Sequence, residues 1–196
     1  MSTSESIHHK GKGRIMQRKS AASQWQEFYQ YRLSIQASFS DISMPLFFWR
    51  FRHSIFVPKG ISCSFLFDAY GELFPDSYAL KNQCLDLQDE RSPKETYFVQ
   101  IACNEKRDDF LFEKSAGDIQ KMRIDTLTLL ECLLWILQFQ HQYRKFPTKN
   151  YILCAGTRDR YDSIPRVTCN AQTLKIEFVG VHVKGELLHA RRVFAL

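Results

Sequence analysis

Apolar and polar positions change their period along the chain, and each change marks a different kind of element. Trp25, Phe28 and Tyr29 stand three and four apart, and Leu33 and Ile35 widen the same stripe. That spacing predicts a helix over about 24–37, opened by a capping box at Ser23-Gln-Trp-Gln26 and laid against a sheet. From Pro45 to Ala102 the pattern turns β-like. Strands are expected at Leu46 to Val57, Ile61 to Phe67, Tyr78 to Leu87 and Thr96 to Cys103, divided by Pro58-Lys-Gly60, Tyr70-Gly71 and Ser92-Pro93. Phe110-Leu-Phe112 is expected to pair back as a short hairpin arm.

Ten of the thirteen residues from Leu127 to Phe139 are apolar, and a helix that is apolar nearly all round belongs in a core. It is predicted over about 125–145, with Asp125 capping its start and Pro147 closing its end. Thr128, Glu131, Gln138, Gln142 and Lys145 share one narrow polar stripe with Trp135 in its middle, so the indole is either covered by another element or an anchor for a partner. Beyond it, Asn150 to Ala155, Arg166 to Cys169, Leu174 to Val183 and Glu186 to Phe194 read as an antiparallel meander. Leu174, Ile176 and Phe178 alternate there with Lys175 and Glu177, as in a sheet with one wet face. Strands that follow strands without regular crossover helices argue for α+β over doubly wound α/β. The expected architecture is therefore a single α+β domain over 23–196, a mostly antiparallel sheet packed on the buried helix, preceded by a basic flexible arm over 1–22.

Composition agrees with a folded domain: of 196 residues 44% are hydrophobic and 14% aromatic, whereas disordered chains lack the aromatic residues a core needs. The net charge of +6 is unevenly spread. Lys10, Lys12, Arg14, Arg18 and Lys19 make the arm basic, an acidic stretch covers 86–118, and the chain from 142 onward is basic again. Without the arm the body carries too little positive charge for a whole-surface nucleic-acid binder. The arm itself holds too few apolar residues to offset its ordering entropy alone, so a fixed conformation would come either from packing against its own domain or from a partner surface. No stretch has the pattern of a secretory signal peptide or of a membrane span, and a cytoplasmic protein is expected. The six cysteines form no CxxC pair and sit in apolar contexts, which predicts reduced core thiols in place of zinc ligands or disulfides.

Local catalytic motifs are missing. Gly11-Lys-Gly13 is too short for a phosphate loop, Gly60-Ile-Ser-Cys-Ser64 lacks the second glycine of a nucleophile elbow, and HExxH does not occur. No cofactor or metal is implied. Two groups remain as contact candidates. The loop Gly156-Thr-Arg-Asp-Arg-Tyr-Asp162 displays Arg158, Arg160 and Tyr161, whose guanidinium forks suit a carboxylate or phosphate. On the strand Phe47-Phe-Trp-Arg-Phe51, alternation places Phe48, Arg50 and Arg52 on one face, a surface able to stack on and neutralise a nucleic-acid strand. The expectation is a non-catalytic interaction subunit, an adaptor or assembly component, that docks on another protein in a hetero-complex with help from its arm. The alternatives are a nucleic-acid-associated protein using the arm and the basic C-terminal part, and an enzyme with a site near the 156–163 loop.

Overall fold

The computed structural model describes residues 20–39, 53–74, 80, 84, 86–101, 108–148 and 150–195. Lys10, Lys12, Arg14, Arg18 and Lys19 of the arm, and the Arg50 and Arg52 strand, lie outside the described residues, as does most of the strand expected over 78–87. The fold is α+β, with several largely antiparallel sheets and four helices among the described residues.

Helix α1, Ala21–Arg32, starts three residues earlier than its pattern predicts, because the hydroxyl of Ser20, not Ser23, accepts from the Ser23 amide and caps it. Its buried face, Trp25, Phe28 and Tyr29, is the one the spacing predicts. That face is tied to strand β1, His53–Val57, where the Trp25 indole N–H donates to the Ser54 carbonyl and the Tyr29 hydroxyl to the Phe56 carbonyl, both at 2.6 Å. Helix α2, Cys63–Gly71, corrects the expected strand over 61–67. Ser62 caps it by accepting from Phe65 N, and Leu66, Phe67 and Tyr70 then fall on one buried side at helical spacing.

Strand β2, Gln88–Asp89, is short, and β3, Tyr97–Ile101, pairs antiparallel with β1. The hairpin arm expected at 110–112 is instead a single 3₁₀ turn, Asp109–Leu111, capped by Asp108. Helix α3, Ala116–Lys121, is built on a reciprocal cap between Ser115 and Asp118. The core helix α4, Leu129–Tyr143, is capped by Thr128 and Glu131 in the same way, not by Asp125, and ends at Arg144 in the left-handed region. Its polar stripe divides along the helix: Thr128, Glu131 and Gln138 are buried along with the apolar positions, while Gln142 and Lys145 are exposed.

The last part of the chain holds β4, Tyr151–Leu153, β5, Thr157–Arg158, β6, Ile164–Cys169, β7, Leu174–Val179, β8, Leu188–Ala190, and β9, Val193–Ala195. It is only partly a meander. β6 runs antiparallel to both β4 and β7, but β8 returns parallel to β4, giving the order β7-β6-β4-β8. β9 leaves that sheet and joins β3 in the order β1-β3-β9, while β5 pairs with β2. One large apolar cluster surrounds α4 and reaches α1, α2 and both main sheets, and a smaller one lies between α3, β4 and β8. Among the described residues no helix is long and apolar enough to cross a membrane.

Candidate functional site

The 156–163 loop is fastened to the core at its first two residues. Gly156 leaves β4 where a Cβ would stand 2.9 Å from the Thr126 carbonyl oxygen and 3.3 Å from that of Leu127, so only glycine fits. Its amide donates to the Leu127 carbonyl and its own carbonyl accepts from Glu90 N. Thr157 is fully buried. Its Oγ1 accepts from the Leu129 amide at 2.7 Å, satisfying an otherwise unpaired donor of the first α4 turn, and donates to the Asp89 carboxylate. Burial raises the Asp89 carboxyl to about 6, against the lowering effect of the Thr157 hydrogen bond.

Beyond this anchor the loop holds its own shape. The Asp159 carboxylate accepts from the amides of Tyr161 at 2.8 Å and Ser163 at 2.7 Å, and Asp162 turns the chain with φ at 61°. Arg158 is spent within the fold: its guanidinium reaches Gln120 and the Asp162 carboxylate, each at 3.3 Å. Arg160 points outward, its guanidinium carbon 4.8 Å from the Tyr161 ring centre and one nitrogen 3.9 Å from Asp86. Tyr161 is 73% exposed. The tip therefore presents a stacked Arg160–Tyr161 pair on a backbone with little freedom left to lose.

Beneath the anchor lies a polar node with no counterpart in the sequence reading. Glu131 is wholly buried. Its Oε1 accepts from Arg91 Nε at 2.7 Å and the Tyr97 hydroxyl at 3.1 Å; its Oε2 accepts from Arg91 Nη2 at 2.8 Å and the Thr128 amide at 2.9 Å. Every acceptor position of the carboxylate is occupied, which makes it a structural support and leaves no lone pair for a reactant. Burial, followed by the Glu131 charge, pushes the Tyr97 phenol well above its ordinary range. The only advance signal was the Thr128-x-x-Glu131 spacing, a capping box within the chain's most apolar segment.

The predicted contact residues that are described divide between the loop and the core. Arg158, Arg160 and Tyr161 come together, and two of the three face outward. Trp135 has no exposed surface, so it is a core residue and not an anchor for a partner; the Arg191 guanidinium covers it, 5.7 Å from its ring centre. The cysteines Cys63, Cys84, Cys132, Cys154 and Cys169 are free thiols. Burial raises four of them, Cys84 to about 12, which suppresses the thiolate that nucleophilic or redox chemistry needs. Among the described residues no cluster of His, Cys, Asp and Glu is arranged to hold a metal ion. Compared with protein-family models, curated proteins and solved structures, the chain matches none.

Proposed function

We propose that this chain is a non-catalytic interaction subunit that docks on another protein through the Arg160–Tyr161 tip. The observation that carries the reading is the contrast between an exposed aromatic–guanidinium pair and the rigid, core-anchored loop that holds it. Tyr and Arg dominate the energetics of protein interfaces, and a pre-shaped loop forfeits little entropy on binding. The interior supports the same reading. The ionisable groups that converge beneath the loop satisfy one another, and the raised thiols are poor nucleophiles. The basic arm adds long-range attraction for an acidic partner surface.

The test is a comparative capture from the native source, with the full chain and its Tyr161→Ala and Arg160→Ala variants as baits. The reading predicts one protein that is recovered by the unaltered chain and lost with both variants. Equal recovery with all three baits, or nucleic acid as the only species recovered and its release by moderate salt, would overturn it.

A further inference from the structure

Strand β7 is one edge of the four-stranded sheet and the longest edge strand among the described residues. Its pairing with β6 shows which backbone groups face out. Asn170 N donates to Thr173 O across the connecting turn, and Cys154 N donates to Pro165 O on the far side of β6. By the alternation of antiparallel ladders, Lys175, Glu177 and Val179 spend their amides and carbonyls on β6. Those of Leu174, Ile176 and Phe178 point away from the sheet, with no partner among the described residues. Such a row is a template for another strand unless it is guarded.

We infer that the partner of this edge is a second copy of the same chain, added antiparallel about a two-fold axis midway between the two Ile176 residues. The segment Leu174-Lys-Ile-Glu-Phe178 is self-complementary in charge and in size. In that register Ile176 faces Ile176 and Leu174 faces Phe178, and all of these are residues whose backbone groups point outward, so they exchange hydrogen bonds as close pairs. Lys175 then meets Glu177 of the other copy, twice by symmetry, in the non-hydrogen-bonded sites where side chains approach most closely. Register, polarity and charge agree only in this alignment; a slip by one residue would bring apolar side chains to the wet face.

The wet face is prepared for the contact. Lys175 is exposed, and both Arg166 donors fall on the same Glu177 oxygen, Nε at 2.9 Å and Nη2 at 2.6 Å, leaving Oε1 for the second copy's lysine. Arg166 is held in place by its stack on the Tyr151 ring, 4.3 Å away. On the inner face Leu174 and Ile176 are buried and Phe178 is half-buried, so pairing extends an apolar layer that already exists. An interface of this kind is isologous and closes at two subunits.

The test is the solution mass of the full chain by light scattering from about 1 to about 200 µM, where mass action makes a dimer concentration-dependent. The unaltered chain should approach twice its monomer mass. Lys175→Glu, an exposed change that leaves the fold intact, sets like charges opposite each other and should raise the dimer Kd about tenfold or more. Glu177→Lys does the same with the opposite sign, and mixing the two variants restores complementary pairs, so the equimolar mixture should dimerise where neither variant does alone. A monomer at every concentration, a dimer indifferent to Lys175→Glu, or a mixture that stays monomeric would each overturn the proposal.

Discussion

The Arg91 guanidinium and the Glu131 carboxylate meet through two parallel hydrogen bonds, 2.7 and 2.8 Å long, with Glu131 wholly buried. Arg91 Nη2 also donates to the Thr126 carbonyl at 2.5 Å, so one side chain ties the start of α4 to the segment that precedes it. Removing one partner of such a pair strands a charge in the core. Arg91→Ala is therefore expected to cost about 3–5 kcal/mol in urea unfolding. Replacing both residues with apolar ones of similar volume should recover much of that loss, which separates the charge effect from packing.

Asp89 and His53 give the fold opposite responses to acid. Burial raises the Asp89 carboxyl from 3.8 to about 6, so the folded state binds its proton more tightly than the unfolded state does. Its favourable contribution is complete below 3.8 and is lost as pH rises through 6. Burial lowers the His53 imidazole from 6.5 to about 4, so its contribution is present above 6.5 and is lost as pH falls through 4. Between pH 7 and 4 the two partly cancel. Asp89→Asn should make the protein less stable on acidification than the parent over that interval, and His53→Phe should reverse the bias, as read by unfolding midpoints at each pH.

Gly156 has no room for a side chain, since a Cβ would press on the Thr126 and Leu127 carbonyls. Gly156→Ala is expected to destabilise by about 1–3 kcal/mol and to loosen the 156–163 loop. Amide exchange should locate the change: the Glu90 amide, which donates to the Gly156 carbonyl, should lose protection before the α4 amides do.

Much of this architecture was legible in the sequence, and the exceptions have physical causes. The core helix stood out because its apolar run is too dense for a surface element. Its start was misplaced by three residues because Asp125 competes with the Thr128–Glu131 box as a cap. The alternation of Ile61, Phe65 and Phe67 imitates a strand, yet Ser62 nucleates a helix in which Leu66 and Tyr70 share a face, and tertiary burial decides between them. The parallel return of β8 and the departure of β9 to another sheet depend on contacts between distant segments and leave no local mark. At the candidate site, the loop was visible from its glycine and its polar run, but not which of its arginines is spent within the fold. One of the partners that hold Arg158, Gln120, lies 38 residues away. The Arg91–Glu131 node spans 40 residues and has no periodic signature at all.

Tyr161 contributes almost nothing to the core, so its removal should change the unfolding free energy by no more than ordinary surface changes do, about 0.5 kcal/mol. The most direct measurement of the docking claim is the Kd of the captured partner for the unaltered chain and for Tyr161→Ala, taken with the melting temperature of each. The account predicts a Kd raised at least about tenfold, roughly 1.4 kcal/mol, at unchanged stability. An unchanged Kd, or a loss of binding matched by a loss of stability, would contradict it.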